Sequence, residues 1–119
     1  MLVPASTVHL ADGPGDWAVV VLAGEVDLGL VPRVREALDL LLAENRRRIV
    51  IDLALVSFMD SAGIGVLVYG IRRAEAHPGG ALRLAAPSAQ VRKLLELTGL
   101  ADVIPEYADR TAACTVRPV

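Results

Sequence analysis

Along this chain the hydrophobic period switches repeatedly between the alternation of strands and the three-to-four spacing of helices, and few features limit the choice of fold as strongly. Val8 to Leu10 and Trp17 to Ala23 are β-rich runs separated by Asp12-Gly13-Pro14-Gly15-Asp16, a turn-forming cluster that predicts an antiparallel hairpin. After Gly24-Glu25-Val26-Asp27 the period changes: Val34, Ala37, Leu38, Leu41 and Leu42 recur at helical spacing, which predicts a helix from Leu30 to Glu44. Pro32 suits its first turn, and Arg46-Arg47-Arg48 stand where cations complement the carboxyl end of a helix dipole.

Ile49-Val50-Ile51-Asp52-Leu53 is almost continuously apolar and mostly β-branched, as expected of a strand covered on both faces. Phe58-Met59 lead from it to Asp60-Ser61, and Ile64, Leu67, Val68 and Ile71 predict a second helix over Ala62 to Ala76, ended by His77-Pro78-Gly79-Gly80. Ala81 to Ala86 reads as a strand, Ser88 to Thr98 as a helix stopped by Gly99, and Val103-Ile104 as a last short strand. Asp109 to Cys114 is expected to form closing turns before Pro118.

Alternating strands and helices imply parallel strands joined by right-handed crossovers. The expected fold class is therefore α/β, a mixed four- to five-stranded sheet packed with helices, its initial hairpin strand antiparallel and the remainder parallel. In open sheets of this kind, sites lie at the carboxyl ends of the parallel strands. That rule gathers Glu25 to Leu30, Phe58 to Gly65 and Ala86 to Ser88 on one rim and sends Arg46 to Arg48 to the opposite one.

At 119 residues the expectation is one domain over 1–119, and with 54% hydrophobic and 22% charged residues it has the means to bury a core. Aromatic residues are only 3%, and 12 basic against 14 acidic residues give a charge of −2, which argues against a nucleic-acid partner. Cys114 is the only cysteine, which excludes an internal disulfide and suits a reducing, cytoplasmic setting. Met1 to Leu10 has no basic stretch before a long apolar one, and no run reaches the ~18 apolar residues of a membrane span. No membrane association is expected.

Signatures of catalysis are missing: there is no phosphate-binding loop ending in Lys-Ser or Lys-Thr, no paired histidines at helical spacing and no Gly-x-Ser-x-Gly elbow. His9, in a strand, and His77, at a helix end before Pro78, are the only histidines and are expected to be structural or solvent-facing; a metal site lacks ligands, and neither metal nor cofactor is expected. A phospho-aspartate receiver would place its acceptor near Asp52, but that chemistry needs an acidic cluster and a lysine near a late strand, and Lys93 falls within a helix pattern.

Asp60-Ser61-Ala62-Gly63-Ile64-Gly65 is the strongest local signal. Ser61 suits the N-cap of the second helix and Asp60 suits its positive end, so capping alone accounts for both. It does not account for Gly63 and Gly65, each of which costs about 1 kcal/mol against alanine within a helix. Close packing on a neighbouring strand and close approach of a partner or nucleotide to Ser61 are the two explanations, and spacing does not choose between them.

With Gly24-Glu25-Val26-Asp27, Val50-Ile51-Asp52-Leu53, Asp60 to Leu67 and Leu97-Thr98-Gly99-Leu100 in order from about Val8 to Tyr107, the chain resembles the anti-sigma factor antagonists built on the STAS domain. The resemblance implies a β-α superhelix and a binding protein, not an enzyme. It further implies that the unphosphorylated form binds an anti-sigma factor, a serine kinase of histidine-kinase-like ATPase fold, and so frees a sigma factor. Ser61 matches the serine this kinase phosphorylates, a metal-dependent serine phosphatase reverses the modification, and Asp27 matches the family's acidic residue after the second strand. The partner surface is then Asp27, Asp60, Ser61, Ala62, Gly63, Ile64 and Gly65. Other family members lack this circuit, which leaves a non-phosphorylated scaffold or transport-complex subunit as the alternative. Nucleotide hydrolysis at the glycine-containing turn would be a third role, and no cation-binding set accompanies it.

Overall fold

In the computed structural model, which describes residues 6–116, five strands and four helices alternate. The expectations for the first residues and for Pro118 concern segments outside the described residues. The strands are β1 (Thr7–Asp12), β2 (Ala18–Val26), β3 (Arg48–Met59), β4 (Ala81–Ala85) and β5 (Glu106–Tyr107). The helices are α1 (Val31–Ala43), α2 (Ser61–Glu75), α3 (Ala89–Thr98) and α4 (Arg110–Thr115). All five strands form one sheet in sequence order, with β1 antiparallel to β2 and every later pair parallel. This is the mixed sheet expected from the alternation of periods.

Strand alternation divides the core into two layers. Val20, Leu22, Ile49, Ile51, Leu53 and Leu84 face α1, α2 and α3, whose Val34, Leu38, Leu67, Ile71, Val91 and Leu95 complete the main core. Val19, Val50 and Ala85 face the other way, where Trp17 and Ala113 and Cys114 of α4 cover them. The five-residue run predicted for β3 is thus buried on both sides, as its composition requires.

β3 is longer than its apolar run because two bulges carry it onward. Val21 pairs with Asp52 but Ala23 with Leu55, and Gly24 pairs with Val56 but Glu25 with Phe58, so β3 takes in one extra residue at each step. The bulges break the two-residue period that would have revealed the strand, and they leave Leu55 and Phe58 exposed.

Two expectations are corrected, for the arginines after α1 and for the last strand. Helix α1 has no basic residue in its last turn: it closes on Asn45 at φ 62°, with the amides of Asn45 and Arg46 bonded back to the carbonyls of Leu42 and Leu41. The arginines serve the hairpin instead, Arg46 bonding Asp12 at 3.0 Å and Arg48 bonding Asp16 at 3.1 Å. The last strand is Glu106–Tyr107, not Val103-Ile104, because a 3₁₀ turn over Leu100–Asp102 directs Ile104 into the main core. Asp52 is buried beneath α4, where Arg110 Nε donates to its Oδ2 at 2.9 Å, so it is not presented to a phosphoryl donor.

Candidate functional site

Two neighbouring strand ends build the rim. β2 and β3 finish side by side, Val26 paired with Met59, and the Asp60 amide reaches the Val26 carbonyl at 3.5 Å. Just before this, Gly24 takes φ 84°, where an added Cβ would lie 2.9 Å from Ser6 Oγ, and Ser6 Oγ accepts the Glu25 amide at 3.0 Å. The chain is thereby steered into Asp27, whose Oδ1 accepts the Gly29 amide at 3.0 Å and holds the turn into α1. Asp27 and Ser61 lie on the same rim, and Arg46 to Arg48 lie at the opposite end of β3.

Ser61 is not the N-cap of α2. Asp60 is: its backbone is extended, and its Oδ1 accepts the amides of Ala62 at 2.9 Å and Gly63 at 3.4 Å. A carboxylate ranks with serine as a cap and adds negative charge at the positive helix end, so the residue one place earlier wins the position. Ser61 becomes the first helical residue, exposed to solvent, and no hydrogen bond engages its hydroxyl among the described residues.

The two glycines have different reasons. Gly63 is buried; an added Cβ would overlap Met59 Cγ and lie 3.1 Å from the Val26 carbonyl oxygen, so only glycine lets α2 sit this close to both strand ends. Gly63→Ala is expected to destabilise the fold by about 1–3 kcal/mol through overpacking, read from the urea midpoint at constant slope. Gly65 is exposed, and an added Cβ would meet nothing within 4 Å. Packing within the chain therefore explains Gly63 and leaves Gly65 unexplained. Ala62 and Ile64, on either side of Gly63, are half-buried.

Sequence reasoning missed Gln90. From the first turn of α3 its Nε2 donates to the Met59 carbonyl at 2.8 Å and its Oε1 accepts the Met59 amide at 3.1 Å, closing both backbone groups at the end of β3. A glutamine in an exposed helical position carries no periodic signal that would mark it. The rim also presents apolar surface: Leu28, next to Asp27, is 76% exposed and Phe58, two residues before Asp60, is 44% exposed. Among the described residues no group of three acidic, histidine or cysteine side chains is placed to hold a metal, and no helix is long and apolar enough to cross a membrane.

A mixed five-stranded sheet with a capped serine-glycine helix at the rim defines a class of α/β module that presents an exposed hydroxyl on a rigid helix end. The sequence pattern of the STAS domain matches residues 10–113, and the chain belongs to that family. It is 41% identical over 85 residues to the anti-sigma-B factor antagonist of Bacillus subtilis, an alignment covering 71% of this chain and 76% of that one. An anti-sigma factor antagonist from Mycobacterium paratuberculosis superposes with a TM-score of 0.83 at 27% identity, over 93% of this chain and 92% of that one. The phosphorylated form of the Bacillus cell-fate determinant SpoIIAA gives 0.72 at 27% identity, covering 93% of this chain and 100% of that one. These relatives carry the names of regulatory antagonists, not of enzymes.

Proposed function

We propose that this protein is an anti-sigma factor antagonist that acts in the cytoplasm and is switched at Ser61. Unphosphorylated, it binds an anti-sigma serine kinase of histidine-kinase-like ATPase fold, and the sigma factor is released. Transfer of a phosphoryl group from ATP to the Ser61 hydroxyl ends that binding, and a metal-dependent serine phosphatase restores it. The catalytic machinery belongs to the partners.

The observation that carries this reading is the division of labour at the start of α2. Asp60 satisfies the helix amides, so the Ser61 hydroxyl is left exposed and uncommitted. Asp27, Asp60 and the first turn from Ala62 to Gly65 surround it as the contact surface. The relatives named as anti-sigma factor antagonists, and the similar SpoIIAA structure in its phosphorylated form, support the same reading.

Capture of partners from native cytoplasm with the unmodified protein is expected to recover an ATPase-fold serine kinase, and addition of ATP to place phosphate on this chain. Recovery of a membrane transport complex with no phosphate incorporated would replace the reading with a scaffold. Gly65 offers a sharper check. Gly65→Ala is expected to stabilise the isolated domain by up to about 1 kcal/mol, since the new methyl group meets open space. It is expected at the same time to weaken partner affinity, because the missing side chain is room for a partner backbone. A gain in stability with unchanged affinity would remove Gly65 from the contact surface.

A further inference from the structure

The two ends of β3 carry different chemistry. At its start, on the rim opposite Ser61, the β1–β2 turn, the α1–β3 connection and the α2–β4 connection surround a cavity of about 660 Å³. Arg46, Arg47, Arg48 and Arg83 line it, and Gly79-Gly80 form one wall. Two carboxylates answer these four guanidiniums, Asp12 on Arg46 and Asp16 on Arg48. Arg47 and Arg83 have no acidic partner among the described residues.

Arg83 is the unusual member, a guanidinium only 5% exposed in the middle of a short strand. Its Nη1 donates to the carbonyls of Ala113 at 2.8 Å and Val116 at 2.7 Å at the end of α4, while no bond engages its Nε or Nη2 among the described residues. It stacks on the Trp17 ring at 4.5 Å, and Arg48 lies over the same ring at 4.7 Å. The aromatic face favours each cation, but two positive charges sharing one ring repel each other, and a deeply buried charge without a counter-ion is costly. Arg47 Nη1 reaches only Asn45 Oδ1, at a long 3.4 Å. On a chain of net charge −2, an excess of two cations concentrated in one concavity calls for an anion.

We propose that this cavity binds a small phosphate-bearing anion, with a pyrophosphate group bridging Arg47 and Arg83. Guanidinium forks match phosphate oxygens in geometry as well as charge, and two linked phosphates supply the two missing counter-charges. The volume lies in the ~300–1,000 Å³ range of small-ligand sites, which favours a compact ligand over a macromolecular surface. The site is independent of Ser61 and of the sigma-factor reading.

The test is calorimetric titration of the full chain with inorganic pyrophosphate and, separately, with ADP. Both are expected to bind saturably at one site, and the tighter of the two identifies the source of the phosphates as free or nucleotide-borne. Arg47→Gln is expected to weaken binding about tenfold or more, and its lack of an ion pair makes it a variant that folds. Arg72→Gln removes the same charge from the exposed face of α2 and is expected to leave the affinity unchanged. Absence of saturable binding at millimolar ligand, or equal affinity of the two variants, overturns the proposal.

Discussion

Ser61→Ala is expected to abolish phosphate incorporation by the partner kinase while shifting stability by less than about 0.5 kcal/mol, the range of surface changes that touch no structural feature. Serine at an N-cap would have cost about 1 kcal/mol on the same replacement. The smaller figure follows from geometry: the amides of Ala62 and Gly63 are held by Asp60, and Ser61 is exposed. Phosphate measured by mass spectrometry and stability measured by urea unfolding are therefore expected to separate cleanly. Phosphate persisting in the alanine variant would move the acceptor elsewhere, and a loss near 1 kcal/mol would return a capping role to Ser61.

Phosphorylation of Ser61 is expected to weaken partner affinity at least tenfold without unfolding the domain. The modification adds about −1.5 to −2 charges at neutral pH. At the first turn of α2 that charge meets helix-end amides and a favourable dipole, so the helix tolerates it. The partner interface meets something different, a dianion beside Asp60 and on the rim shared with Asp27, which must lose water before contact forms. Each 1.4 kcal/mol of that penalty is a factor of ten in affinity. Ser61→Asp, with one charge and fewer acceptor oxygens, is expected to reproduce the loss only partly. Helicity and thermal midpoint measured beside partner affinity decide the matter: a melted helix, or equal affinity of both forms, defeats the mechanism.

Much of this was legible in the sequence where a residue type and a period agreed. The Ile49 to Leu53 run, the helical stripe of Leu38, Leu41 and Leu42, and Gly99 as a left-handed stop at φ 80° each have one local physical cause, and each stands where expected. The shared rim of Asp27 and Ser61 followed from topology alone. Illegible features are those in which a residue serves a distant segment. Gln90 closes a strand end 31 positions away, and Arg83 braces a helix 30 positions away. Both need the third dimension before they have a meaning. The bulges in β3 hid their strand by disturbing the pattern that announces strands, and the contest between Asp60 and Ser61 for the cap turned on one position, finer than periodicity resolves.

Because the cap rests on Asp60, position 61 is exempt from the demands of folding. Replacement of the serine by alanine takes a single nucleotide change in four of its six codons and is expected to leave the domain intact, so under the proposed switch a regulator that can no longer be phosphorylated lies one mutational step away. Asp60 has less freedom, since any replacement other than another capping residue weakens the helix as well as altering the surface. Adjacent residues thus face unequal selection: one is held by architecture, and its neighbour is left open for a signalling circuit to acquire, retune or discard.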